Sequence, residues 1–232
     1  MSDRIDARLG TLAGLVAAVL YAISAFVPGS PMKPDASLAD VTAHYEDKRG
    51  ALLVATMLAT IAVALLLWFL GYVRRAIEEV DGPSSALGTI TIVSWVGLLV
   101  VASVGASLSI AVVWRGAASI DPKLVQLSFD VENLSLYSLT APLAALSVLA
   151  PSLLIWRTGM LPRWLVGIGA IEVAVNVVEL VGIDTRHGAN AAGYAAGLGP
   201  FVWVVWVAAL SVLLYRRAFV AVDQRRGSVS TP

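Results

Sequence analysis

The sequence predicts an all-α protein whose helices cross a membrane. Three observations lead there. Hydrophobic residues make up 58% of the 232-residue chain, and charged residues only 14%, roughly half the charged share of a soluble domain. Mean hydropathy is +0.82. The apolar residues are gathered into charge-poor runs as long as a bilayer crossing, which takes about 20 residues. This composition excludes a soluble globular domain and a disordered chain. Strand-like alternation is missing, which excludes a transmembrane β-barrel.

Six runs qualify: residues 9–27, 51–73, 86–114, 133–156, 164–183 and 191–215. The third is longer than one crossing needs, so it tilts or projects beyond the bilayer. The fifth is interrupted by acids. Residues 1–232 therefore read as one domain, a six-helix transmembrane bundle with an outer loop at 28–50 and a cytoplasmic tail at 218–232. In the outer loop Asp35 can cap a short amphipathic helix that places Leu38, Val41 and Tyr45 on one face. Segments outside the spans are too short to be expected to bury a core of their own.

Orientation follows from the basic residues. With the N-terminus inside, Arg4, Arg8, Arg74, Arg75, Arg157, Arg163, Arg216, Arg217, Arg225 and Arg226 are cytoplasmic, ten of sixteen. Lys33, Lys48, Arg49, Arg115, Lys123 and Arg186 are outside. Both termini are thus expected in the cytoplasm of a bacterial cell, since a 13 to 3 excess of arginine over lysine is common in GC-rich bacterial genomes. Trp68, Tyr72, Trp156, Trp164 and Tyr215 fall at inner helix ends, with Trp114 and Tyr137 at outer ones, as interfacial belts do. Ala22-Ile23-Ser24 weakly resembles a signal-peptidase site, but the preceding apolar run is longer than a signal sequence needs, so the first span is expected to be retained.

Several chemistries are set aside by residue type. There are no cysteines, which removes disulfides, thiolate metal sites and cysteine nucleophiles. The two histidines, His44 and His187, lie outside the spans, which argues against haem ligation and a Ser–His protease within the membrane. No lysine lies in a span and no glycine-rich phosphate loop is present. His44, His187, Asp184 and Glu46 could meet outside the membrane but lack metal-ligand spacing, so neither a metal nor a cofactor is expected. Zero net charge gives no surface for nucleic acid, and the expected partner is the lipid bilayer.

Small residues recur every four positions at Gly10, Gly14, Ala18 and Ala22, and again at Ala189, Gly193 and Gly197. Such stripes let helices approach closely in lipid. They serve either packing within the bundle or a homodimer seam. Pro142 and Pro151 in the fourth span, and Pro200 in the sixth, each remove a helical hydrogen bond and favour a kink. The hexapeptide Ala-Ala-Leu-Ser-Val-Leu at 144–149 and 208–213 reads as chance in so restricted an alphabet.

The strongest chemical signal is in the fifth span. Glu172, Asn176 and Glu179 lie at i, i+4 and i+7, within about 60° of helical arc, and form one polar stripe. An ionised acid at mid-membrane costs about 2.5–3.5 kcal/mol, so the stripe must face the protein interior or a wet cavity. Arg49 and Arg115, at outer helix ends, are possible ion-pair partners for Glu179. Tyr21, Ser24, Thr56, Thr60, Ser103, Ser107, Glu132, Asn133, Ser135, Ser138 and Thr140 fall in the outer halves. They suggest a polar vestibule opening outward and ending at Glu172.

Four short motifs carry a resemblance. Tyr45-Glu46-Asp47-Lys48-Arg49-Gly50 leads into the second span, which ends Leu67-Trp68-Phe69-Leu70-Gly71. Thr158-Gly159-Met160-Leu161-Pro162-Arg163-Trp164-Leu165 precedes the fifth, and Leu213-Leu214-Tyr215-Arg216-Arg217 closes the sixth. In order and spacing these resemble an uncharacterised actinobacterial family of six-span integral membrane proteins. The resemblance covers residues 9–217 and implies the fold class and a plasma-membrane location. It implies no activity and no catalytic residue.

Function is expected in this order. First comes a structural or accessory membrane component, with the stripe used for packing or for docking another subunit. Second comes a protein that binds or transports a small ligand, ion or proton through the vestibule, with Glu172 deepest, Asn176 orienting it and Glu179 as the gate. Last comes an enzyme, because no nucleophile–base pair is visible.

Overall fold

The computed structural model describes residues 2–30, 32–33, 35–181 and 191–229, with the side chains of 2–7, 137–138, 181, 191–196 and 218–229 left undescribed. Asp184, Arg186, His187 and Ala189 lie outside the described residues. The described chain is all-helical, with no strand. Its helices are α1 (Ser2–Phe26), α2 (Leu38–Asp47), α3 (Arg49–Asp81), α4 (Ala86–Arg115), α5 (Pro122–Asn133), α6 (Ala141–Thr158), α7 (Trp164–Val181) and α8 (Ala191–Val229). Five segments are long and apolar enough to cross a membrane: Arg8–Phe26, Arg49–Asp81, Ala86–Arg115, Pro122–Thr158 and Gly197–Arg217.

Six helices close into a ring, in which α1 neighbours α3, α3 neighbours α4, and α6, α7 and α8 follow before α8 returns to α1. Ring order follows chain order, and the α1–α8 contact closes the circle, so that α1 sits between α3 and α8. Small residues permit the tight α1–α3 contact. Gly14 faces the ring of Phe69, and a Cβ there would lie 2.7 Å from it. Gly10 meets Tyr72 in the same way, and Ala18 is buried beside them. That face of α1 is therefore covered by the chain's own α3. Gly197, in contrast, meets open space.

An aromatic chain crosses the ring. Phe69 of α3 lies 6.2 Å from Trp95 of α4, Trp95 lies 5.2 Å from Trp203 of α8, and Trp203 lies 6.4 Å from Tyr21 of α1. Ser147 of α6 joins it. Trp95 Nε1 donates to the Ser147 carbonyl at 2.8 Å, and Trp203 Nε1 donates to Ser147 Oγ at 3.2 Å. The first bond has a backbone cause. Pro151 lies four residues after Ser147 and has no N–H to give to that carbonyl. The indole of Trp95 supplies the donor that the helix lacks.

At one end α2, the 3-10 turn Ala117–Ser119, α5 and the end of α4 form a second small core of Val41, Tyr45, Val112, Val113, Ala117, Val125 and Phe129. The cluster leans on the end of α4, so these short segments do not bury a core by themselves. Alternation within 117–133 is too short to announce a helix, but Asp121 caps α5 through Lys123 N at 2.8 Å and Pro122 opens it. Likewise α2 is capped by Ser37, which accepts from Asp40 N at 3.2 Å, two residues beyond the expected Asp35. Polar bonds close this cap. Tyr45 OH donates to Glu132 Oε2 at 3.4 Å, Ala118 N to Glu46 Oε1 at 2.8 Å, and Ser109 Oγ to the Ser128 carbonyl at 3.0 Å.

The fourth run begins earlier than expected and is not one regular helix. A π-helix, Leu134–Leu139, separates α5 from α6. Pro142 accordingly sits in the first turn of α6, where its missing N–H costs nothing. At the opposite end α3 projects well beyond a crossing. It carries the ion pairs Arg74–Glu78 at 2.7 Å, Arg75–Glu79 at 3.7 Å, Glu79–Arg217 at 3.9 Å and Asp81–Arg157. The last two tie α3 to α8 and α6.

Two predictions follow from these bonds. Trp95→Phe strands the Ser147 carbonyl and should cost about 1–3 kcal/mol in detergent unfolding. Pro151→Ala restores a donor, so the double variant should lose clearly less than the sum; strict additivity would disprove the exchange. The second concerns Tyr45, where burial and then the neighbouring Glu132 carboxylate push the phenol above its usual value of 10.0. The native state holds this proton while the unfolded state releases it near pH 10, so cap stability falls as pH rises above about 10. In a tyrosinate absorbance titration, the signal lost in Tyr45→Phe should rise above pH 10, later than that of a free tyrosine. A rise at pH 10 would count against it.

Candidate functional site

The polar stripe lies in α7, and it makes up most of that helix's buried face. Among the described residues of α7 the buried ones are Leu165, Gly169, Glu172, Asn176 and Glu179. They fall on one stripe because successive steps of four and three residues return to the same side of a helix. Lipid-like residues such as Ile171, Val177, Val178 and Leu180 occupy the other sides and are exposed.

Glycine sets how close the neighbours come. At Gly169 the place of a Cβ is taken by Ser152 Oγ and Val148 of α6 and approached by Trp206 of α8, so three helices meet at one point. Trp206 Nε1 donates to the Leu165 carbonyl at 3.2 Å just below it. One turn above stands Glu172, only 1% exposed. Asn176 Nδ2 donates to Glu172 Oε1 at 2.9 Å and to the Glu172 carbonyl at 2.8 Å. Glu172 Oε2 is buried and has no hydrogen-bond partner. Further toward the α2/α5 end, Glu179 is 7% exposed and its Oε2 faces Gly199 of α8, 3.5 Å from where a Cβ would stand.

The structure thus brings Glu172 and Asn176 into contact and aligns Glu179 on the same seam. It does not bring the expected cations there. Arg49 is exposed and donates to the Trp114 carbonyl at 2.6 Å, joining α3 to α4. Arg115 is exposed, and among the described residues neither arginine pairs with Glu179. Of the polar residues expected to line a vestibule, Ser24, Ser135 and Thr140 are buried, and three others face outward. Thr60, Ser103 and Ser107 lie on exposed faces, and Thr60 and Ser107 turn back to their own helices, bonding the carbonyls of Thr56 and Ser103 at 2.8 and 2.6 Å. A hydroxyl that can bond its own i−4 carbonyl needs no cavity. In this conformation the seam is closed over Glu172.

Sequence reasoning missed Ser152 and Trp206. A serine in an apolar helix gives no signal by itself. In the fold it stands out, because Thr91, Ser94 and Ser147 all turn their hydroxyls to carbonyls of their own helices. Ser152 Oγ, buried at 5% exposure, bonds nothing. Among the described residues no group of three or more metal-ligating side chains is present.

Gly169→Ala tests the three-helix contact. The added methyl must displace Ser152 and should lower the melting temperature by several degrees, since overpacking costs about 1–3 kcal/mol. Gly167→Ala, where a Cβ meets open space, should leave stability unchanged or improve it by up to about 1 kcal/mol. Equal effects would mean that the close approach at Gly169 is not a constraint.

No family model matches the chain, and the searches of curated proteins and of solved structures likewise found no match.

Proposed function

We propose that the chain is a six-span integral protein of the bacterial plasma membrane, with both termini cytoplasmic, that binds a small cation or a proton within the membrane at Glu172. In this reading α7 is the sixth crossing. Its 18 residues reach about 27 Å, close to the thickness of the hydrocarbon core. The α2/α5 cap is then extracellular, and the end bearing Arg74, Arg75, Arg157 and Arg217 is cytoplasmic. The resemblance to the six-span actinobacterial family points the same way.

The observation that carries the binding role is the Glu172 carboxyl. It is sealed in the seam with one oxygen bonded to Asn176 and the other bonded to nothing. A buried polar atom left unmatched costs about 1–3 kcal/mol, and more if charged. A purely structural residue would not need that cost. Asn176 holds the carboxyl in one orientation, and Glu179 lies two turns nearer the outside. A second reading, an accessory subunit, is favoured by how completely α6 and α8 cover the stripe, which acts there as helix glue.

Glu172→Gln separates the two. Gln keeps the size and the bond to Asn176 but removes the acid. We expect a variant at least as stable as wild type in detergent and inactive in ion or proton uptake by proteoliposomes. A loss of about 3–5 kcal/mol, the cost of breaking a buried pair, would instead assign the residue to structure. Co-purification with one fixed partner in mild detergent would support the accessory reading, and a lone monodisperse protein would end it.

A further inference from the structure

We propose that Ser152 of α6 and Glu172 of α7 together hold a monovalent metal cation, of the sodium class, in the α6–α7–α8 seam. The inference rests on the Glu172 binding role and adds a second helix and a ligand class to it. Three buried side-chain atoms among the described residues have no hydrogen-bond partner: Ser152 Oγ, Glu172 Oε2 and Arg217 Nη1. The two oxygens belong to the same seam. Ser152 Oγ lies against Gly169, and Glu172 stands three residues along the same face of α7, roughly 4.5 Å higher.

Geometry chooses between a proton and a metal ion. A shared proton joins two oxygens about 2.5–3.0 Å apart. Neither oxygen here has a hydrogen-bond partner, so no proton is shared between them. A hard cation bridges oxygens that are too far apart to bond each other, because each stands about 2.0–2.6 Å from the ion. The Asn176 amide hydrogens are spent on Glu172 and hold its carboxyl in place.

Charge fixes the valence. Among the residues whose side chains are described, the other titratable group on the seam is Glu179, two turns away and roughly 10.5 Å along the axis. Facing helices add none nearby: residues 141–156 of α6 and 197–214 of α8 contain no Asp, Glu, His, Lys, Arg or Tyr. Tyr215 and Arg157 stand at the far ends, and Tyr137 lies in the π-helix beyond α6. One carboxylate therefore balances one positive charge.

The experiment is thermal unfolding of the full-length protein in detergent at about pH 8. Sodium chloride is titrated against choline chloride at constant ionic strength, with potassium and calcium as comparators. Sodium should raise the melting temperature of wild type saturably, and Glu172→Gln should abolish the effect. Ser152→Ala should fold and need at least about tenfold more sodium, a loss typical of weakening a metal site. Equal responses to sodium and choline in wild type would overturn the cation, leaving the proton as the ligand of Glu172. An unchanged midpoint in Ser152→Ala would overturn the two-helix site even if Glu172→Gln removes the response. Should Glu172→Gln fail to fold, the Ser152→Ala midpoint decides alone.

Discussion

A helix whose buried face is Leu, Gly, Glu, Asn, Glu cannot be left to lipid. That constraint organises the rest of the structure. The exposed sides of α7 are apolar, so only the stripe needs covering, and it needs covering along its whole length. Two helices share the work. From α6 come Val148 and Ser152, and from α8 come Trp206 and Gly199. At the closest approach stands Gly169 of α7, where a side chain would hold the helices apart. The acids are thus covered by the neighbouring helices, and the Asn176 amide meets Glu172.

The centre of the ring shows the same exchange between backbone and side chain. A proline inside a helix leaves a carbonyl without its donor. In water that carbonyl would be solvated; in an apolar interior it must find another donor. Trp95 provides it from a different helix, so a local defect in α6 becomes a contact between α6 and α4. The same serine also receives Trp203 from α8. Three ring helices are therefore fixed to one residue, and a tryptophan is well suited because its single polar atom sits on a large apolar body.

Much of this was legible in the residues. Charge-poor runs announced long apolar helices, and α7's acids were found by helical spacing alone. The direction of the stripe was also legible, since an acid in such a helix has nowhere else to point. What could not be read was which residues face it. Ser152 and Trp206 lie in uniformly apolar stretches, and their roles come from the neighbours that the ring brings to them. A vestibule is hard to read from sequence for a related reason. Serine and threonine in outer helix halves look convergent on paper, but each can satisfy itself on its own backbone, as Thr60 and Ser107 do. The cap was missed because α2 and α5 bury only small areas separately and form a core only against the end of α4. Gly10 and Gly14 were legible as a packing stripe, though only the fold identifies α3 as the element packed there.

The position of α1 between α3 and α8 has a consequence for how the molecule is made. Ser211 of α8 donates to the carbonyl of Thr11 of α1, across 200 residues of sequence. Ribosomal synthesis delivers α1 first and α8 last of the six. Until α8 arrives the ring is an open arc whose two free edges are α1 and α7. One edge is the helix that carries the acids, with only α6 against it. The last helix to be made therefore both closes the circle and withdraws Glu179 from the surroundings, so assembly of the polar seam and completion of the fold are a single event.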